Sequence, residues 1–357
     1  MKTPVALLAL AVLCPALPLR AETPAPAATT YHVEQNVTLS EIPAGTKSVK
    51  WWISIPDDNR DQDLVDFSVP SAPGTWQVVT EPAHGNRFIL VEVKAPEAKS
   101  LVTKVEFTLR RRAVFATIDP AKSGAITDSH RILFADELRR DAPHMEVTPA
   151  IAKMADQTCG AETNIAAQAK LLLGKVADHA DHYSKDPTKH KYSVGDAGEC
   201  LANAGGTCTD MHSLFIALAR ARGIPARLQM GYRLREANAG KEVDPGYRCW
   251  VEYFVPNYGW IPSDIVEADD PKGLGRDRWF TGLTERRLWL NEGREFDLAG
   301  RAVTSHRVNT MIIGYAEIDG VEARVLPEGD LHAQLSRTVR YTEIKPEAPA
   351  VTVAQAR

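Results

Sequence analysis

The sequence predicts an α+β protein in which an all-β sandwich precedes a mixed core of helices and strands. Three observations carry this. Over residues 30–118, short runs alternate apolar and polar positions, as in Val49, Trp51, Ile53 and Ile55 and again in Val105, Phe107 and Leu109. That period of two marks half-buried strands. Turn signals at Pro43-Ala-Gly45, Pro56-Asp-Asp-Asn59, Pro73-Gly74 and Gly85-Asn86 separate the runs at the short spacing of a sandwich. Beyond residue 160 the period changes, and Ile165, Leu172, Val176 and Tyr183 fall on one face of a helix over 161–183.

The chain has 357 residues, enough for about two domains. Its 44% hydrophobic and 25% charged residues allow sizeable cores without disulfide staples. A net charge of −4 excludes the basic footprint expected of a nucleic-acid or anionic-membrane binder.

The first residues have the layout of an export signal. Lys2 supplies the positive start, an apolar run interrupted by Pro15 and Pro18 follows, and cleavage is expected after Ala21. The run is too short and too broken for a membrane span. Leu13 before Cys14 is large where a lipoprotein site needs a small residue, which favours a soluble product. The expected location is therefore periplasmic or secreted, with no integral membrane segment after cleavage. Cys159, Cys200, Cys208 and Cys249 remain, and their pairing is left open between two disulfides and free thiols.

Residues 22–30 read as a Pro/Ala/Thr-rich leader, and residues 119–149 as the crossing between domains. His179 and His182, three apart, have the spacing of metal ligands but no acidic or cysteine partner beside them. They read as a polar helix end. The Gly205-Gly206 turn leads into a second helix over 208–222, ended by Gly223 and Pro225. Strands follow at 226–232, 247–255 and 259–262, and Asp319-Gly320 forms a hairpin turn. No repeat period is present.

Chemistry concentrates in the stretch Gly205-Gly-Thr-Cys-Thr-Asp-Met-His-Ser-Leu-Phe. Two glycines permit a sharp turn, and Thr207 can cap the helix that Cys208 opens. A thiol there faces unpaired amides and the positive end of the helix dipole, which favours the thiolate. The same amides could hold an oxyanion. Standing alone, this pattern is matched by a small buried cysteine at a tight turn.

A second block, Gly246-Tyr-Arg-Cys-Trp-Val-Glu-Tyr-Phe-Val-Pro-Asn-Tyr-Gly-Trp-Ile-Pro-Ser-Asp264, reads as strand, turn, strand. Together the two blocks resemble the transglutaminase-like superfamily, closest to its exported bacterial branch. Weaker similarity extends to Trp52-Ile-Ser-Ile-Pro, to Arg278-Trp-Phe and on to about Leu298. The resemblance implies a transglutaminase-like, papain-like cysteine core preceded by an all-β immunoglobulin-like sandwich. The expected division is a signal peptide over 1–21, a β-sandwich domain over 30–118, the transglutaminase-like domain over 128–300, a C-terminal β extension over 301–345 and a disordered tail over 346–357.

The resemblance also implies thiol acyl chemistry on a protein or peptide carbonyl, with Cys208 as nucleophile and Asp264 as orienting carboxylate. The family's histidine falls on Arg248, a departure with physical weight. A guanidinium can hold a thiolate but cannot take up or release a proton near neutrality. Loss of general acid–base help costs about 10²–10⁴-fold in rate. Arg248 could instead pair with Asp264. His212, four residues after Cys208 on the same helix face and leaning toward the thiol, is the surrogate the sequence offers, against a satisfied helix histidine. Asp210 is expected to neutralise the helix start, Tyr192 to line the cleft, Cys249 to face away from Arg248 and Trp250 to pack.

Three readings follow. One is an active thiol acyltransferase or amide hydrolase. The second is an inactive binding or scaffolding module that keeps the fold. The third is a structural protein with Cys208 disulfide-bonded to Cys200. No nucleotide loop or calcium loop occurs, so no cofactor and no metal are expected. The expected partner is a protein or peptide substrate, and oligomeric state is not legible.

Overall fold

The structure, a computed structural model, describes residues 27–191, 193–269, 273–311, 313–327 and 331–345. The expected signal peptide, the tail over 346–357 and Tyr192 lie outside the described residues. Six strands open the fold: β1 Ala28–Leu39, β2 Ser48–Ser54, β3 Gln62–Ser71, β4 Thr75–Thr80, β5 Arg87–Lys94 and β6 Leu101–Arg112. A short strand, β7 Val114–Phe115, leads out of them.

The helical half begins with α1 Asp128–Leu133, α2 Pro149–Cys159 and α3 Ile165–His179. Next come β8 Asp181–His182, α4 Ala197–Asn203, β9 Gly205–Gly206 and α5 Cys208–Ala221. Then β10 Ala226–Arg233, β11 Arg248–Val255, β12 Gly259–Ser263, α6 Ile265–Asp269, α7 Arg276–Phe280, β13 Gly282–Leu283 and β14 Arg287–Glu292. Three strands close the chain: β15 Tyr315–Ile318, β16 Val321–Glu322 and β17 Leu335–Ile344.

The alternation in the first half buries one face of each long strand. In β1, Tyr31, Val33, Val37 and Leu39 are buried, and they pack with Trp51 and Ile53 of β2 and Val105, Phe107 and Leu109 of β6. These residues lie between two sheets, one in the order β17-β1-β6-β3 and one in the order β16-β15-β2-β5-β4, as a β-sandwich requires. The stretch read as a C-terminal β extension supplies an edge strand to the first sheet and two strands to the second. Strand β17 pairs along β1 from Leu39↔Leu335 to Thr30↔Ile344, and β15 pairs with β2. The hairpin between β15 and β16 turns at Asp319 and Gly320, both at positive φ.

The helical half is built around α5. Residues Cys208 to Arg220 of this helix are all buried, the mark of a helix surrounded on every side. It packs among α2, α3 and the antiparallel sheet β12-β11-β10-β14 in one apolar core. This sheet also meets the sandwich, since Tyr232 and Leu288 belong to the sandwich core and the Tyr232 hydroxyl donates to Gln35 Oε1 at 2.7 Å.

One expectation is corrected here. The helix read over 161–183 ends at His179, so Tyr183 is off its face. Asp181 and His182 leave the helix to pair in parallel with Gly205 and Gly206, and that long-range bridge overrides the helical period.

Candidate active site

The turn into α5 depends on its two glycines. Gly205 and Gly206 sit at φ 152° and 150°, where side chains are strained. A Cβ on Gly205 would lie 2.3 Å from the Asp181 carbonyl oxygen, and one on Gly206 would lie 2.6 Å from Asp210 Oδ2. Thr207 then caps the helix, and the Asp210 carboxylate accepts from the Thr207 amide and hydroxyl, both at 2.7 Å. The other Asp210 oxygen accepts from Ser193 Oγ at 2.5 Å and from the Asp196 amide at 3.0 Å. Asp210 is thus fully engaged in holding the helix start.

Cys208, the first residue of α5, is 3% exposed and lines a cleft of about 750 Å³ with His182, Lys185, Arg233, Tyr247, Arg248 and Glu267. Burial alone would push its thiol up. Hydrogen bonds from Cys249 and His182, together with the positive charge of Arg248 and His182, outweigh burial and hold it well below the usual thiol range. Cys249, hydrogen-bonded to that sulfur and equally buried, is pushed well above it by burial and by Cys208. The two thiols have opposite tendencies.

His182 reaches Cys208 from β8, whose pairing sets it opposite Gly206. Its Nδ1 lies 2.7 Å from Ser184 Oγ and accepts from the Ser184 amide at 3.2 Å. The ring is 8% exposed and therefore fixed at the cleft wall.

Arg248, opening β11, faces the carboxylates and not a proton relay. Its Nε donates to Asp264 Oδ2 at 2.9 Å, and its Nη2 donates to Asp264 Oδ1 at 3.2 Å and Glu267 Oε1 at 3.1 Å. Arg287 Nη2 donates to the same two carboxylates at 3.0 and 3.1 Å, and Arg233 pairs with Glu267 at 2.6 Å. Burial would raise the Asp264 carboxyl, but Arg248 and Arg287 hold it far below its ordinary value. Three guanidiniums against two carboxylates leave one positive charge over. A thiolate on Cys208 offsets it.

His212 is fully buried, and both of its ring nitrogens are engaged elsewhere. Nε2 accepts from the Ile265 amide at 3.1 Å, so Nδ1 carries the hydrogen and faces Cys249 Sγ at 3.3 Å. Burial pushes its pKa down, against the pull of Asp264. The structure thus places His212 behind the cleft as a neutral ring packed on Cys249. Cys249 points from β11 toward α5, with Thr209 Oγ1 3.6 Å from its sulfur, and Trp250 is buried in the sheet. All four described cysteines are free, which overturns the reading of a Cys200–Cys208 disulfide. His179 Nε2 lies 2.9 Å from the Leu201 carbonyl oxygen, and among the described residues no group of three or more metal-ligating side chains is assembled.

The model of the transglutaminase-like superfamily matches residues 152–265, the segment holding His182, Cys208, His212, Arg248 and Asp264. This segment is a transglutaminase-like core. A solved structure of a proposed cysteine protease from Cytophaga hutchinsonii superposes with a TM-score of 0.56 at 14% identity, covering 90% of this chain and 93% of that one. The periplasmic domain of TgpA from Pseudomonas aeruginosa gives 0.32 at 18% identity, covering 69% and 92%. An uncharacterized protein of Haemophilus influenzae is 27% identical over 214 residues, which is 52% of this chain and 57% of that relative's length. The transglutaminase-like fold and its β-sandwich neighbour are thus as the two sequence blocks imply.

His182, read from the sequence as a polar helix end, lies instead in a two-residue strand with no periodic signature, and its bridge to β9 brings it to the cleft. The glycine pair did carry a signal of close backbone approach, though not of which segment approaches. Arg287, Glu267 and Arg233 lie outside both motif blocks and converge on Asp264 and Arg248 only through β10, β14 and α6.

Proposed function

We propose that this protein performs thiol-dependent acyl chemistry on protein or peptide substrates, with Cys208 attacking a carbonyl carbon. The product acyl-enzyme is then passed to an amine or to water. The observation that carries this reading is the position of Cys208: it opens a capped helix, lines a cleft of about 750 Å³ and is held well below the usual thiol range. A thiolate is the attacking form, and the helix start supplies amides for the oxyanion. Arg248 and Asp264 act in this reading as an electrostatic support for the thiolate. Arg248 stands where the family resemblance expects the histidine base.

The location we propose is periplasmic or secreted, on the layout of residues 1–21; among the described residues no helix is long and apolar enough to cross a membrane. Iodoacetamide at pH 6, followed by peptide mass mapping, tests the reading. Cys208 should label far faster than Cys159, Cys200 and Cys249, and equal slow labelling of all four would refute it.

One observation favours a second reading, a binding or scaffolding module without turnover. Both Arg248 and Arg287 are locked onto Asp264 and Glu267, so the strand that should carry a proton-transferring base carries a salt-bridge cluster. Selective labelling with no acyl-enzyme from any activated ester would support this second reading.

A further inference from the structure

We propose that His182, carried on β8 beside the helix-opening thiol, is the general acid–base residue of this site, replacing from the strand before Cys208 what the strand after it lacks. The inference rests on the reading of Cys208 as nucleophile and names the proton carrier that reading leaves unassigned.

Three observations support it. His182 and Cys208 line the same cleft, and the β8–β9 pairing sets His182 opposite Gly206, two residues before the sulfur. The β8–β9 bridge fixes their spacing through main-chain bonds, Asp181 N to Ala204 O at 3.2 Å and Tyr183 N to Gly206 O at 2.8 Å. In the catalytic ring Nδ1 carries a hydrogen that it donates to Ser184 Oγ at 2.7 Å in place of the Ser184 amide contact, which leaves Nε2 for the sulfur. This is the nucleophile, base and orienting-group sequence of an activated thiol, with a serine as the third member. His212, the other histidine near the helix start, has its Nε2 filled by the Ile265 amide and its Nδ1 turned to Cys249. It has no free nitrogen to offer the cleft. The remaining charged and titratable groups along the cleft are Tyr183, whose ring lies 4.5 Å from that of His182, Lys185 and Lys191 from the same loop, Arg233 and Arg235, Asp244 and Tyr247, Arg248, and Glu267 and Asp269 from α6. Lys185 is paired with Asp181 and Asp269.

The proton bookkeeping closes. The thiolate adds to the carbonyl carbon and a C–S bond forms. As the C–N bond of an amide breaks, the protonated ring gives its Nε2 proton to the departing nitrogen. The neutral ring then takes a proton from water or an incoming amine as that nucleophile adds to the thioester. The C–S bond breaks, the electron pair returns to sulfur, and the starting ion pair is restored.

The test uses p-nitrophenyl acetate with the full chain, because p-nitrophenolate leaves without a proton and acylation needs only the thiolate. Intact-mass spectrometry follows acetyl-Cys208. In the unmodified protein the acetyl group should turn over. In His182→Ala it should still form, at raised pH, but hydrolyse about 100-fold more slowly or less, and added imidazole should restore part of the rate. His182→Asn, closer in shape, should behave alike, and pH 9 alkylation of Cys208 in preference to the other cysteines shows that either variant keeps its cleft. Hydrolysis of acetyl-Cys208 at an unchanged rate in both variants would overturn the role of His182 while leaving Cys208 as nucleophile. Failure of the unmodified protein to form any acetyl-Cys208 would overturn both.

Discussion

Arg248 grips Asp264 through two of its nitrogens, Nε to Oδ2 at 2.9 Å and Nη2 to Oδ1 at 3.2 Å, with both side chains almost wholly out of water. A buried pair of this kind is weak evidence of net stability, but breaking it strands a charge. Arg248→Ala should therefore destabilise the fold by about 3–5 kcal/mol, measured by urea unfolding. The same variant should lower the pH 6 alkylation rate of Cys208, because a cation favouring the thiolate is gone.

Asp264 sets an acid limit on the core. Its folded carboxyl is held below the ordinary aspartate range, chiefly by Arg248 and Arg287 against the opposing effect of burial. A depressed carboxyl contributes stability that is complete above its unfolded value, about 4, and is lost as pH falls toward the folded one. Asp264→Asn should remove this dependence. The stability gap between the two proteins should be widest near neutrality and shrink below about pH 4; a gap that does not change with pH would contradict the linkage.

Cys249, its own thiol pushed well up by burial, holds the neighbouring Cys208 thiol down. Cys249→Ala should leave the fold intact but reduce Cys208 alkylation at pH 6 several-fold, with the difference vanishing at pH 10. The comparison of rates at the two pH values separates a loss of thiolate from a loss of access.

Gly206→Ala should be poorly tolerated. Its φ of 150° disfavours a side chain, and the added methyl would press on Asp210 Oδ2. The expected cost is about 1–3 kcal/mol by chemical denaturation. Loosening of the Thr207–Asp210 capping box should accompany it as faster amide exchange in the first turn of α5.

What could be read from the sequence follows its periodicities and its two motif blocks. Strands with one wet face, such as β1 and β6, declare themselves by alternation, and α5 by its turn, cap and closing Gly223. Cys208 stands out because a helix start and a thiol coincide there. The place of His182 at the cleft was not legible, because a two-residue strand has no period and only the β8–β9 bridge brings it there. His212 drew notice because helical spacing is easy to compute. Its ring nitrogens are taken by Ile265 and Cys249, residues distant in sequence. Likewise Arg248 announced itself as a departure, while Arg287, Glu267 and Arg233, which make its charge tolerable, lie on elements no motif links.

Strand β17 lies against β1 along nearly its whole length, and β15 lies against β2. The sandwich therefore has to wait for strands made after the whole thiol core, and its sheets close around a long intervening excursion. Such late, distant pairing makes assembly slow. Until β17 arrives, one side of β1 is an unsatisfied edge open to any extended peptide. Shortening the chain from its far end would thus be felt as sticking between copies and also at the wall of the cleft, because β17 pairs Val339 with Val243 and Arg337 with Asp244 of the loop that lines it.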